Sequence, residues 1–178
     1  MIRSTNTEFK KLNHPLPSLT YFVKMTHPSS HLFEVGLQIE HWPDSVLDLK
    51  MPVWTPGSYL VREYARHIQD FRAVSKDKQT KLSSKKLSKN HWQVETKEVD
   101  NILITYRVFA NELTVRTNHL DDTHGYFNGA ALFYFIPGLE ATPVTVEIIP
   151  PNANWKVSTG LPEVSGKANQ FYAKDFDT

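Results

Sequence analysis

Short apolar alternations of period two, interrupted by Pro, Gly, Asn and Asp, recur along the chain, whereas patterns of helical period are scarce. This spacing predicts an all-β fold, either an antiparallel β-sandwich or an open barrel-like pair of sheets. Strands are expected over Leu19 to Met25, His31 to Glu40 and Val46 to Met51, with Leu47, Leu49 and Met51 on one face. Further strands are expected over His67 to Val74, His91 to Glu95 and Ile102 to Ala110, the last two paired with each other. Tyr126 to Asn128 and Ala131 to Ile136 read as a pair around Gly129, followed by Val144 to Ile149, Trp155 to Ser158 and Gln170 to Ala173. Between them, residues 75–90 carry six lysines among Ser and Thr and read as a long, solvated basic hairpin.

The organisation that follows is an N-terminal extension over residues 1–18 and a single β-domain over 19–178. No internal repeat or Pro-rich linker divides the chain, and 178 residues suffice for a full core. The ending, Lys174 to Thr178, comes just after a strand-like segment without a capping element, so further chain is expected beyond it. No apolar stretch approaches the roughly 18 residues of a membrane span, and the start lacks the apolar region of an export leader. The expectation is a soluble, cytoplasmic protein without a membrane partner.

Lys and Arg number 20 against 19 acids, a net charge of +1, which offers no long-range field for nucleic acid. The chain has no cysteine, so disulfides, thiolate metal sites and thiol catalysis are excluded. Neither H-E-x-x-H, nor G-x-S-x-G, nor a Gly-rich phosphate loop is present.

Two segments concentrate chemistry. Met51 to Tyr59, with two prolines, Gly57, Trp54 and Tyr59, suits a rigid corner packed by its own aromatics, or else an aromatic binding platform. Val115 to Ala130 gathers His119, Asp121, Asp122, His124 and Asn128, a set of residue types able to hold a metal or run a hydrolysis. The two histidines are five apart rather than four and fall in a predicted loop, so no metal site is assigned. A turn closed by Asp121 and Asp122, and an Asn128-Gly129 hairpin, account for most of these polar residues.

Met51 to Tyr59, then Arg62-Glu63-Tyr64-Ala65, Trp92, Tyr106 to Ala110, Val115-Arg116, Leu120-Asp121, Gly125 to Gly129 and Trp155 to Leu161 stand in the order and spacing of a known family. The chain resembles the N-terminal domain of the glycyl aminopeptidases, zinc metallopeptidases with a thermolysin-like catalytic domain. The resemblance implies that a catalytic domain with an H-E-x-x-H helix, and often a PDZ domain, would follow downstream. Zinc is then a cofactor of that missing domain, and none is expected in this one. It further implies that this domain has no catalytic residue, packs on its own catalytic domain, and forms one wall of the substrate cleft. Tyr126, Asn128, Gly129 and Asp121 are the residues that resemblance would bring near the N-terminus of a peptide substrate, a carboxylate suiting an ammonium better than a carboxamide does.

Two other readings carry their own discriminators. A free-standing β-sandwich that holds carbohydrate or peptide on Trp54, Tyr59 and Tyr126 is expected if no H-E-x-x-H follows Thr178. A small metal hydrolase built on His119, Asp121, Asp122 and His124 requires tight metal binding by the chain itself.

Overall fold

The computed structural model describes residues 15–55 and 60–178, so most of the predicted extension and Pro56, Gly57, Ser58 and Tyr59 lie outside the described residues. Eleven strands form three sheets among those residues. The large sheet contains β1 (Ser18–Lys24), β2 (Leu32–Glu40), β4 (Ile68–Ser75), β7 (Ile102–Phe109), β10 (Val144–Ile149) and β11 (Gln170–Ala173), in the order β11-β10-β1-β2-β7-β4. The second sheet contains β3 (Val46–Lys50), β5 (Ser84–Ser88) and β6 (His91–Glu95), in the order β3-β6-β5. β8 (His119–Leu120) and β9 (Gly125–Tyr126) make a two-stranded ribbon. The fold is all-β and sandwich-like with no closed barrel, as the alternation predicts.

Period two explains which faces are dry. Leu19, Tyr21 and Val23 of β1, Phe33, Val35, Leu37 and Ile39 of β2, and Ile102, Ile104, Tyr106 and Val108 of β7 are buried and alternate with wetter residues. From the second sheet Leu47, Leu49 and Val94, with Met51 just beyond β3, enter the same core. β4 keeps its place only through an irregularity between Gln69 and Arg72, with Asp70 at φ 53°, which offsets the plain alternation expected there. Phe71 then stacks on Trp92 of β6, ring centroids 4.2 Å apart, and joins the sheets.

Four expectations need correction. β6 and β7 do not pair with each other: the chain from Thr96 to Asn101 carries it from one sheet to the other. Buried Thr96 fixes this corner, accepting from the Trp42 indole N–H at 3.2 Å and donating to the Asp44 carbonyl at 2.9 Å, while Glu98 takes φ 59°. The large sheet is not wholly antiparallel, because β10 returns from a long excursion to lie parallel to β1. Residues 155–158 form no strand. Residues 131–136 are not a strand either: Gly129–Leu132 is a single helical turn, α1, and an extended stretch follows.

That extended stretch is tied into both sheets. The Tyr21 hydroxyl donates to the Tyr134 carbonyl at 2.7 Å and the Tyr106 hydroxyl to the Leu132 carbonyl at 2.9 Å. Burial pushes both phenols well above their ordinary range, so they remain protonated donors. On the other side Lys50 and Phe135 exchange two backbone hydrogen bonds of 2.9 and 2.8 Å. The basic segment contributes the edge strand β5, where exposed lysines leave that edge unsuited to further strand pairing. No helix among the described residues is long and apolar enough to cross a membrane.

Candidate functional site

The segment from Val115 to Ala130 is built around one carboxylate. Between β8 and β9, Asp121 Oδ1 accepts from the Thr123 backbone N–H at 2.7 Å, the Thr123 hydroxyl at 2.6 Å and the His124 backbone N–H at 3.0 Å. This is the Asx turn that the sequence predicts, made by Asp121 alone, while Asp122 stays exposed. Hydrogen bonds from the Thr123 hydroxyl first, then from the two backbone N–H groups and His119, hold the Asp121 carboxyl well below the usual carboxylate range.

The ribbon is seated from below. The His31 Nδ1–H donates to the Leu120 carbonyl at 2.5 Å, and Leu120 is fully buried. Gly125 packs closely on Leu120 and Met25, where an added Cβ would meet side-chain atoms at 3.2 and 3.4 Å and require them to shift slightly.

Asn128 does not turn a two-residue hairpin with Gly129. The strand reversal occurs earlier, at Asp121–His124, and Asn128 is instead the N-cap of α1, accepting the Ala130 N–H on its side-chain oxygen at 3.0 Å. Asn-Gly suits both roles, and the competing turn at Asp121 decides between them. Asn118, which no motif singles out, holds this arrangement. It is buried, donates its amide N–H to the Ala131 carbonyl at 3.0 Å and accepts the Asn128 N–H at 3.1 Å. Its partners are 10 and 13 residues away, beyond any local pattern.

Two recesses flank this segment. One, of about 360 Å³, lies between Tyr126–Phe127 and the irregular run Trp155–Leu161, with Tyr21 and Phe133 at its base. The other, of about 530 Å³, is lined by Trp54, Val115, Asn128, Gly129 and Ala130. Phe176 and Thr178 line both, as does Gly129. Tyr126 is partly exposed and its hydroxyl donates to the Val115 carbonyl at 3.3 Å. Of the residues singled out from sequence, Tyr126, Asn128 and Gly129 therefore line the recesses, and Asp121 lines neither.

Two large apolar side chains that line the second recess are exposed. Trp54 is 53% exposed and Val115 76%, with Leu113, two residues before it, at 66%; the Arg62 N–H bonds the Val53 carbonyl at 2.7 Å to hold the Trp54 loop in place. Trp54 thus stands out on the surface rather than filling a corner, and its expected companion Tyr59 lies outside the described residues. His119, Asp121 and His124 are drawn together, their potential ligand atoms within 4.8 Å of one another, which the five-residue spacing had argued against. A helix would have separated them, but the tight turn folds His124 back beside His119, ring centroids 4.9 Å apart.

Comparison with known proteins agrees with the resemblance read from the motifs. The crystal structure of an aminopeptidase N family protein from Idiomarina loihiensis is similar, with a TM-score of 0.82 and 34% identity over 89% of this chain. The chain spans only 27% of that protein's length. Comparison with curated proteins returns no match. Residues 20–178 match the family described as the peptidase M61 N-terminal domain, a match that takes in nearly all of β1, the other ten strands and the whole Val115–Ala130 segment. With motifs, fold and family match in agreement, the chain belongs to the peptidase M61 N-terminal domain family.

Proposed function

We propose that this domain is the non-catalytic N-terminal part of a glycyl aminopeptidase-type zinc metallopeptidase, that it packs on the catalytic domain and that it forms one wall of the substrate cleft. The observation that carries this reading is the exposed apolar rim of Trp54 and Val115 on a recess that Phe176 and Thr178 also line. A domain continuing from Thr178 would begin at that rim and cover it. Burying a rim of this kind would contribute roughly 25 cal/mol per Å² of apolar surface removed from water.

The polar groups at the recess fit a peptide. The Asn128 side-chain oxygen is engaged with Ala130, which leaves its amide N–H groups to donate to a peptide carbonyl. The Tyr126 hydroxyl can also accept, on its second lone pair, from a substrate ammonium. Gly129 keeps the backbone low between the two recesses, and Asp121, with its low carboxyl pKa, is an anionic group one strand away. The catalytic zinc that the resemblance implies has no H-E-x-x-H ligand pair in these 178 residues, so its ligands belong to the downstream domain.

The test compares the full-length polypeptide with a Trp54→Ser, Val115→Lys double variant, using hydrolysis of glycyl and alanyl p-nitroanilides and limited proteolysis. The expected result is loss of turnover, together with new cleavage between the two domains. Unchanged turnover and unchanged protease resistance in the double variant, or zinc-dependent hydrolysis by residues 1–178 alone, would overturn the proposal.

A further inference from the structure

The ribbon also gathers potential metal ligands. Its turn brings two imidazoles and one carboxylate to a single point: His119 Nε2 stands 3.0 Å from Asp121 Oδ2, and His124 Nδ1 stands 3.6 Å from Asp121 Oδ1. Metal–nitrogen and metal–oxygen bonds of zinc are about 2.0–2.2 Å, which places the ligand atoms of a tetrahedral ion about 3.3–3.5 Å apart. The two measured separations bracket that value. All three ligand atoms fall within 4.8 Å of one another, and His124, the ligand with the longer separation from Asp121, is the most exposed of the three.

The electrostatic setting suits a cation. Among the described residues Asp121 forms ion pairs with the two imidazoles only, and no lysine or arginine neutralises it. His119 is largely buried, its side chain 12% exposed, and its Nδ1 has no protein partner, so the ring is held in place chiefly by its strand and the Asp121 contact. A largely buried first ligand, a carboxylate second and a solvent-facing third is an arrangement that leaves an entry path for an ion. Two nitrogens and one oxygen match borderline transition ions rather than calcium or magnesium, which prefer oxygen-only shells.

We propose that His119, Asp121 and His124 form a binding site for a divalent transition-metal ion of the zinc type, with three protein ligands and a remaining position for water or for a donor of a docked partner. This site uses only residues of the ribbon and its turn, and it stands whether or not the peptidase reading holds. Binding would displace the Thr123 hydroxyl's 2.9 Å contact with His124 Nδ1 and lock the turn, stiffening the base of the strand that carries Tyr126.

The test is zinc binding by the 178-residue chain, by competition with a chromophoric chelator, together with paramagnetic broadening of the imidazole resonances by cobalt(II). One zinc per chain is expected, with the broadening among the eight histidines strongest at His119 and His124 and weaker at His31, which bonds the Leu120 carbonyl beside them. His124→Ala, an exposed substitution that leaves the fold intact by circular dichroism, should weaken zinc binding at least about tenfold, the scale on which even outer-shell changes act. His119→Phe, which keeps the buried ring volume, should do the same. Equal affinity in His124→Ala, cobalt broadening strongest at a histidine other than His119 and His124, or no zinc uptake at micromolar free ion would each overturn the site, and the broadening pattern decides the matter even if His119→Phe fails to fold.

Discussion

Asn118 should be the residue on which the geometry of the candidate site most depends. It is 6% exposed, and its side-chain amide serves two partners at once, the Ala131 carbonyl and the Asn128 N–H. In Asn118→Ala the Ala131 carbonyl, on a residue only 3% exposed, is left without that donor in a dry environment, at a cost of about 1–3 kcal/mol. Asn128 is half-buried, so water can replace part of the second bond and the added loss is about 1 kcal/mol. The sum, about 2–4 kcal/mol, corresponds in a domain of this size to a fall in Tm of roughly 5–15 °C. Thermal unfolding followed by circular dichroism measures the fall, and hydrogen exchange should show the Asn128 amide losing protection more than β2 does. Asn118→Asp sharpens the test. An ionised carboxylate can accept from Asn128 but faces the Ala131 carbonyl, so its folded pKa is raised above the unfolded value of about 3.9. The variant should therefore be closest to wild type below about pH 4 and lose stability as pH rises through the raised value. A Tm within about two degrees of wild type for Asn118→Ala, against the fall expected from the lost bonds, or an Asn118→Asp deficit that does not grow with pH, would refute this account of the segment.

Two further outcomes follow from the same contacts. Gly36 of β2 lies opposite Phe22 of β1, and a Cβ at Gly36 would fall 1.9 Å from the Phe22 ring; Gly36→Ala should destabilise by about 1–2 kcal/mol, overpacking of about 1–3 kcal/mol being partly offset by the better strand former. Urea unfolding of the Gly36→Ala, Phe22→Ala double variant should show most of that loss relieved, and strictly additive effects would contradict the contact. The Asp121 carboxyl, held down by hydrogen bonds from Thr123 and its neighbours, contributes stability that is present above its unfolded pKa of about 3.9 and is lost as pH falls through its lower folded value. A carbon-13 pH titration should find the Asp121 carboxyl protonating below the ordinary value of about 3.9, and titration at or above that value would count against the turn described.

The sequence by itself determined the class of fold and most of its strands, because a half-buried strand must alternate and a core of this size needs many such strands. Leu47, Leu49 and Met51, three inward residues of β2 (Val35, Leu37 and Ile39) and those of β7 could be read from period two alone, whereas the buried Phe33 at the start of β2 was not. The Asx turn at Asp121 was legible for a similar reason, its partners lying two and three residues away. What only the tertiary structure decided depended on partners distant in the chain. Period two says that β6 and β7 are strands and not which sheet each joins; the corner at Thr96, pinned by Trp42, settles that. Asn128-Gly129 fits a hairpin and a helix cap equally well; the reversal at Asp121–His124 leaves it to the cap, and Asn118 and two buried tyrosines then hold residues 128–134 against the sheets. The meeting of His119 with His124, and of Trp54 with Val115 around one recess, are of the same kind: side chains converge there because the backbone folds back, and linear spacing does not record that return.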